Sequence, residues 1–245
     1  LRIHGKGSGR GNLQGNGCSV CTDDRQKTLA LQSSLRQGQE KNRSPQIIMK
    51  IGLYGGTFDP PHKGHTSLAY DFYRASGADL LIVMPSFIPP HKQNANTSAI
   101  SRCKMARLAF LCLGEIGVNY TVSDYEITKN DTSFTIETVN HLLAKYNEEK
   151  ICMCIGSDML YYFEKWKCAD QLMKKCVLYS KARESGEYEK LCEHGRYLEK
   201  IYGADVHIMN GNVLEVSSTE IRNLQKPELL DARVSAFIEK HGLYR

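Results

Sequence analysis

Hydrophobic and polar positions divide this chain of 245 residues into two unequal parts. Up to residue 46 the sequence is rich in Gly, Ser, Asn, Gln and Arg and has no sustained apolar period. Such a composition buries too little surface to offset the entropy of the chain. From Met49 onwards, short apolar runs alternate with stretches of helical period. The pattern therefore predicts a flexible, disordered leader at residues 1–48 and one domain at residues 49–245.

The apolar runs are short and nearly continuous, which is typical of strands buried on both faces of a parallel sheet. They lie at Lys50–Tyr54, Leu80–Met84, Asn119–Val122, Lys150–Ile155, Cys176–Tyr179 and Val206–Met209. Helical patterns lie near Gly64–Ser76, Ser101–Leu113, Thr135–Asn147, Leu160–Lys174, Tyr188–Tyr202, Ser218–Leu224 and Asp231–His241. Strand–helix alternation predicts an α/β fold with a doubly wound parallel sheet, closed by C-terminal helices. In such sheets, ligands bind beyond the carboxyl ends of the strands.

The net positive charge is confined to the leader, and the basic and acidic residues of the rest of the chain balance. Residues 1–48 hold eight Lys and Arg against three Asp and Glu, which equals the net charge of +5 of the whole chain. A nucleic-acid partner would need a basic face on the domain itself, and we expect none. No run approaches 18 apolar residues, and the N-terminal residues lack the apolar core of a secretory signal. We therefore expect a cytoplasmic protein with no membrane partner.

The nine cysteines do not indicate a metal centre. Cys152 and Cys154 lie in an apolar run, where cysteine behaves as a small hydrophobic residue. Cys18 and Cys21 form a single CxxC pair without a second pair, which is weak support for zinc. We expect reduced thiols and no metal bound by the protein.

The first predicted strand runs directly into the sequence GGTFDPPHKGH, residues 55–65. Gly55 and Gly56 allow a sharp turn and the close approach of a ligand. His62 and His65 stand at the start of the following helix, where free N–H groups and the helix dipole favour anions. Two other interpretations are a surface histidine and a metal-binding His-x-x-His pair, but no HExxH-type glutamate accompanies these histidines. The pattern favours a polyphosphate site.

A second polar turn, VSSTEIR at residues 216–222, stands near the end of the chain. Ser217 and Glu220 have the spacing of a capping box, so this segment alone indicates no more than a well-started helix. Arg222 follows Ser218 by four residues and can return to the same end of that helix.

Both segments resemble motifs of the HxGH nucleotidyltransferase superfamily, whose members have Rossmann-like folds. Residues 57–65 resemble its histidine signature, and residues 216–222 resemble its Ile-Ser-Ser-Thr-x-Ile-Arg motif. The resemblance implies that His62 and His65 are catalytic, contacting the ATP phosphates and stabilising the transition state, with help from the Thr57 hydroxyl. It also implies an ATP phosphate site formed by Gly55, Gly56, Thr57, Phe58, Ser217, Ser218, Thr219 and Arg222.

Three further stretches resemble the bacterial nicotinate-mononucleotide adenylyltransferase branch of the superfamily. They are Pro89–Lys92, Ser133–Thr135 and the two pieces Ile155–Asp158 and Phe163–Trp166. The resemblance implies that Gly156 and Asp158 lie near ribose and adenine. It implies that the mononucleotide is bound by His91, Lys92, Thr135, Trp166, Lys167 and Arg183.

Some of these assignments compete with simpler interpretations. His91 and Lys92 could be solvated loop charges, and Trp166, the single tryptophan, could be a core residue. Phe134 stands where the branch has tyrosine. Arg183 is followed by Glu184 rather than by the Pro-Gly of the branch.

The resemblance implies adenylyl transfer from ATP to nicotinate mononucleotide in NAD biosynthesis, with Mg²⁺ carried by ATP. Other members of the superfamily adenylate pantetheine phosphate or cytidylylate alcohol phosphates, and these remain alternatives. A non-catalytic nucleotide-binding protein is a third. The sequence leaves open the preference between nicotinate and nicotinamide mononucleotide and whether the chain forms a homo-oligomer.

Overall fold

The structure, a computed structural model, describes residues 49–88, 95–184, 186–211, 216–223 and 227–244. The leader predicted at residues 1–48 lies outside the described residues, and so do Cys18 and Cys21. The same holds for His91 and Lys92. Within the described ranges, no helix has the length and apolar character needed to cross a membrane.

The described residues form one parallel sheet of six strands in the order β3-β2-β1-β4-β5-β6. The strands are β1 (Ile51–Gly56), β2 (Leu80–Pro85), β3 (Tyr120–Val122), β4 (Ile151–Gly156), β5 (Cys176–Lys181) and β6 (Asp205–Met209). Each predicted apolar run is confirmed as a strand, with ends shifted by two residues at most. The predicted Rossmann-like α/β fold is therefore confirmed.

Ten α-helices and two short 3₁₀ helices connect or follow these strands within the described ranges. The first five are α1 (Lys63–Ser76), α2 (Ala99–Ala109), α3 (Leu111–Glu115), α4 (Tyr125–Lys129) and α5 (Thr135–Tyr146). The others are α6 (Ser157–Tyr161), α7 (Ala169–Lys175), α8 (Tyr188–Tyr202), α9 (Ser218–Arg222) and α10 (Ala232–His241). The 3₁₀ helices are Phe163–Lys165 and Pro227–Leu229.

Each face of the sheet carries its own hydrophobic core. Helices α5 to α8 contribute to one core, and α1, α2, α3 and α10 contribute to the other. Close packing of α1 depends on Gly52 in β1, because a Cβ there would stand 3.1 Å from both the Phe72 ring and the Ala78 side chain. The glycine thus lets Phe72 lie directly against the strand.

The chain builds the sheet outward in two directions from its centre. It runs from β1 to β2 and β3, returns to β4 beside β1, and then continues to β5 and β6. Strand order therefore reverses between β1 and β4, and a crevice at the carboxyl ends of those strands is where ligands of such sheets bind. Gly56 and Gly156 end the two central strands at this edge.

One predicted helix, Leu160–Lys174, is wrong as a continuous element. The chain forms α6, then a 3₁₀ turn at Phe163–Lys165, and only then α7. Trp166 is extended, with φ −73° and ψ 150°, and Cys168 has a left-handed φ of 57°. A non-glycine residue with that φ cannot continue a helix, and the apolar period gives no sign of it.

Two smaller differences concern the neighbouring layer. The helix predicted at Ser101–Leu113 breaks after Ala109 into α2 and α3. Helix α4 was not predicted, because a five-residue segment is too short to show a period.

Core packing in this sheet gives a direct test of the fold. Leu81 in β2 is fully buried, whereas Leu111 in α3 is 41% exposed. Leu81→Ala should lower the free energy of unfolding by about 2–5 kcal/mol, because it leaves a cavity. Leu111→Ala, the matched control, should change it by about 0.5 kcal/mol or less. Denaturant titration measures both, and equal losses would contradict this packing.

Candidate active site

The loop between β1 and α1 is buried from Phe58 to His62. Phe58 has a left-handed φ of 50° and is 1% exposed. Its ring makes edge contacts with the rings of Tyr54, His65 and Phe110, with centroids 5.1–5.6 Å apart. These contacts hold the loop against the core on the α1 face of the sheet.

The two glycines before this loop have different roles in the structure. A Cβ on Gly56 would stand 2.7 Å from the Phe58 ring, so the loop's own packing requires glycine at that position. Gly55 is exposed, and the nearest atom to a Cβ there, the Met84 carbonyl oxygen, is 4.0 Å away. The close approach of a ligand therefore still explains glycine at position 55. At position 56 glycine is required by packing against Phe58.

Arg102 of α2 fixes this loop through hydrogen bonds to its backbone. The sequence alone did not identify this residue. Its guanidinium is buried, and its hydrogen bonds go to four backbone carbonyls. Nη1 donates to Thr57 at 2.6 Å and to Ser86 at 2.7 Å, Nη2 to Phe87 at 2.6 Å and Nε to Thr97 at 3.2 Å. Burial lowers the pKa of Arg102. One side chain thereby joins the loops that follow β1 and β2.

His62 and His65 lie side by side at the start of α1, with ring centroids 3.8 Å apart. The backbone N–H of His62 donates to Nδ1 of His65 at 3.2 Å. This bond requires Nδ1 to lack a proton, so a neutral His65 carries its proton on Nε2 and can donate it. The sequence prediction that both rings share one end of the helix is consistent with this arrangement.

His62 is 5% exposed, and its Nδ1 has no hydrogen-bond partner among the described residues. Burial, and next the positive charge of Arg183, lower its pKa to about 4. The ring is therefore neutral at pH 7. A buried polar atom without a partner costs free energy, and a ligand at this position could supply the missing hydrogen bond.

The second motif docks directly on this loop. Ser218 at the start of α9 donates from its hydroxyl to the Pro60 carbonyl at 3.0 Å. Arg222 donates from Nη1 to the Asp59 carbonyl at 2.7 Å and from Nη2 to the Thr219 hydroxyl at 2.9 Å. These bonds account for two of the five N–H donors of the guanidinium. Arg222 is therefore bonded to the loop three residues before His62.

Two further features of this junction follow from its packing. The predicted capping box is present, since Ser217 accepts from the Glu220 N–H and the Glu220 carboxylate accepts from the Ser217 N–H. The interpretation of the motif as a helix start is therefore correct. It is incomplete, because the two segments also pack closely: a Cβ on Gly64 would stand 2.7 Å from Val216 and 3.0 Å from Nδ1 of His62.

Gly156, Asp158 and Arg183 come together beyond β4 and β5. Arg183 pairs with Asp158 at 3.2 Å, and its Nη2 lies 2.7 Å from where a Cβ of Gly156 would be. The sequence prediction gave Arg183 to the mononucleotide and the other two to ribose and adenine. The three residues are neighbours, beside an open cavity of about 450 Å³ that Asp158, Arg183 and Lys190 help to line.

Thr135, Trp166 and Lys167 lie near one another, on elements that contribute to the core formed by α5 to α8. Thr135 begins α5, and Nζ of Lys167 stands 3.7 Å from the centroid of the Phe134 ring. Trp166 is half-buried against Phe163, with ring centroids 4.9 Å apart. Part of the Trp166 ring thus belongs to the core, and part remains accessible.

Hydrogen bonds fix the segment before α5 to the loop after β2. Ser133 accepts from the Phe87 N–H at 2.9 Å and donates its own N–H to the Ile88 carbonyl at 2.9 Å. Thr138 donates to buried Glu126 at 2.6 Å. Burial raises the pKa of Glu126, against the lowering effect of its hydroxyl partners.

The sequence could not identify Arg102 and Glu126, because their partners are 5 to 45 residues away along the chain. Each lies in the first turn of a helix, where the sequence does not distinguish a buried charged residue from an exposed one. Among the described residues, no group of three or more His, Cys, Asp or Glu side chains could hold a metal ion. The edge between α1 and α9 instead presents N–H donors, a guanidinium and neutral imidazoles, which suit a polyphosphate.

Comparisons with known proteins agree with this geometry. The cytidylyltransferase-like family model matches residues 53–224. A nicotinate-nucleotide adenylyltransferase of Bacillus subtilis is 33% identical over 206 residues, which cover 80% of this chain and 99% of that protein. A probable nicotinate-nucleotide adenylyltransferase of Clostridium botulinum is 33% identical over 204 residues, which cover 81% of this chain and 99% of that protein.

Solved structures of Plasmodium falciparum nicotinic acid mononucleotide adenylyltransferase have the same fold. The complex with NaAD superposes with a TM-score of 0.64 at 17% identity, covering 80% of this chain and 97% of that one. The complex with APC gives 0.61 at 16% identity with the same coverage. Since a family model matches most of the chain and the bacterial relatives are 33% identical along nearly their whole length, this protein belongs to the nicotinate-nucleotide adenylyltransferase family of cytidylyltransferase-like proteins.

Proposed function

We propose that this protein transfers the adenylyl group of ATP to nicotinate mononucleotide, giving nicotinate adenine dinucleotide and pyrophosphate. Family membership supports the reaction type, since the bacterial relatives are nicotinate-nucleotide adenylyltransferases. The observation that carries the proposal is the direct contact between the two motif segments, in which Arg222 and Ser218 bond to the loop that precedes His62.

In this proposal the triphosphate lies between the start of α1 and the start of α9. Neutral His65 donates from Nε2 to a phosphate oxygen, and the buried Nδ1 of His62 obtains a hydrogen bond in the complex. Arg222, Ser217, Ser218 and Thr219 hold the β- and γ-phosphates from the opposite side. The loop residues from position 55 to 58 form the floor of the site.

A phosphate oxygen of the mononucleotide attacks the α-phosphorus of ATP in line. The bond from the α-phosphorus to the bridging oxygen breaks, and the electron pair leaves with pyrophosphate. The attacking oxygen is already an anion, so the step needs no general base. Catalysis therefore consists of positioning and of stabilising the charge that develops on the leaving pyrophosphate.

Transfer of a nucleotidyl group from ATP calls for a divalent metal that offsets the charge of the triphosphate. We propose that it is Mg²⁺ and that it enters as part of the nucleotide substrate. Mg²⁺ prefers six oxygen ligands in octahedral geometry and keeps several waters. Phosphate oxygens and waters would therefore supply most of its ligands.

The acceptor site in this proposal is formed by Thr135, Trp166 and Lys167, with His91 and Lys92 completing it. The accessible part of the Trp166 ring stacks on the pyridine, and the N-terminus of α5 faces the nicotinate carboxylate. We group Arg183 with Gly156 and Asp158 on the ribose and adenine side, because these three are in contact.

A side-by-side assay of acceptors tests the proposed function. Pyrophosphate release should be measured with ATP and, in parallel, nicotinate mononucleotide, nicotinamide mononucleotide and pantetheine phosphate. Nicotinate mononucleotide should give the highest kcat/KM. A higher value with another acceptor would replace the proposed substrate, and ATP binding without turnover on any acceptor would identify a non-catalytic nucleotide-binding protein.

His65→Ala should lower kcat by about 10²–10³-fold, the loss expected for one preorganised donor to a developing charge. His207→Ala is the matched control, because His207 lies in β6 with a half-exposed side chain paired to Asp205. Steady-state pyrophosphate release measures both variants. A His65→Ala enzyme within threefold of the parent would exclude this imidazole from the chemistry.

Trp166→Leu should raise the KM for the mononucleotide at least about fivefold, since stacking on a nitrogen heterocycle contributes about 1–3 kcal/mol. Leucine keeps apolar packing against Phe163, and Trp166→Phe should restore part of the affinity. Because Trp166 is the single tryptophan, quenching of its fluorescence in the parent protein reports mononucleotide binding without turnover. An unchanged KM in the leucine variant would assign Trp166 to packing alone.

A further inference from the structure

The carboxylate of Asp59 is buried inside the loop that precedes the histidines. Asp59 is 4% exposed. Oδ1 accepts from the Tyr244 hydroxyl at 2.6 Å, and Oδ2 accepts from the Asn96 N–H at 2.7 Å. Buried carboxylates need such donors to remain stable. The Tyr244 bond spans 185 positions of the sequence.

Tyr244 reaches this loop because α10 ends just before it. Gly242 caps the helix with a left-handed φ of 61°, and the Leu243 N–H donates to the Ile238 carbonyl at 3.1 Å. Tyr244 also has a left-handed φ, 60°. The chain therefore turns back, so that Leu243 and Tyr244 pack against the core on the α1 face.

The Tyr244 hydroxyl is a stable donor in this position. Burial and next the hydrogen bond to Asp59 raise its pKa above the ordinary range for tyrosine. The hydroxyl therefore stays protonated at physiological pH and keeps donating to the carboxylate.

Asp59 is held from two sides by different parts of the chain. Tyr244 bonds to its carboxylate, and Arg222 bonds to its backbone carbonyl. The next carbonyl, on Pro60, accepts from Ser218, and His62 follows two residues later. Asp59 is thus the residue of the β1–α1 loop at which α9 and the turn after α10 both make hydrogen bonds.

We propose that Tyr244 is a positioning residue for the ATP half of the proposed reaction. By fixing the Asp59 carboxylate, it sets the distance between the two histidines and Arg222, and it touches neither substrate. The inference rests on the proposed function. We do not expect Tyr244 to affect the acceptor side, because Thr135 and Trp166 lie on elements that pack in the other core, on the opposite face of the sheet.

Tyr244→Phe tests this role, because phenylalanine keeps the packing of the ring and removes only the hydroxyl. Loss of the hydroxyl leaves one buried oxygen of Asp59 without its donor, so the loop must shift to satisfy it. A small misplacement of catalytic groups costs up to about 10²-fold. We expect kcat/KM for ATP to fall at least about tenfold, while the KM for nicotinate mononucleotide stays within twofold.

Leu243→Ala is the matched control on the same turn. It removes packing against the same core but leaves the Tyr244 hydroxyl and Asp59 unchanged. We expect it to lower Tm and to leave kcat/KM for ATP within twofold. Tyr202→Phe is a second control, because that hydroxyl, at the end of α8, also donates to a carboxylate, that of Glu164 at 2.8 Å, and we expect it to leave kcat/KM for ATP within twofold.

The outcomes separate positioning from stability. ATP kinetics unchanged in Tyr244→Phe would overturn the proposal, and so would an equal kinetic loss in Leu243→Ala. Affinity for a non-hydrolysable ATP analogue, measured by calorimetry, gives a readout that does not depend on turnover. If no acceptor supports adenylyl transfer, the proposed function fails. A loss of analogue affinity in Tyr244→Phe alone would then still support the role of Tyr244.

Discussion

A buried loop must find hydrogen-bond donors for its carbonyl oxygens, and the loop between β1 and α1 meets this requirement from distant parts of the chain. Arg102 serves the Thr57 carbonyl, Arg222 serves Asp59 and Ser218 serves Pro60. Arg102 belongs to α2, whereas Ser218 and Arg222 belong to α9, so the donors come from two helices that are far apart in the sequence. Satisfying the backbone of this one loop therefore assembles the candidate site.

The same constraint explains the chemistry that the site offers. Once the loop is fixed, His62 is buried as a neutral ring whose Nδ1 has no partner in the described part of the chain, and His65 is oriented by the N–H of His62. The Arg222 guanidinium bonds to the Asp59 carbonyl, three residues before His62, so the donors of α9 and the imidazoles of α1 meet at the same loop. Preorganised donors are what phosphoryl and nucleotidyl transfer require.

The sequence predicted the strands and the helix starts at the two motif segments well, because buried runs and turn chemistry are local signals. It predicted the helix at Leu160–Lys174 wrongly, because the left-handed conformation of Cys168 leaves no trace in the apolar period. The contacts of Arg102 and Tyr244 with the loop after β1 could not be predicted, since the partners lie at least five and up to 185 positions away. The roles of the predicted site residues remain predictions.

The central claim is that one triphosphate lies between the starts of α1 and α9. A crystal structure of the protein with a non-hydrolysable ATP analogue tests it most directly. The account predicts phosphate oxygens within hydrogen-bond distance of Nε2 of His65 and of the Arg222 guanidinium in the same complex. A triphosphate bound elsewhere, or contacting only one of these two side chains, would contradict it.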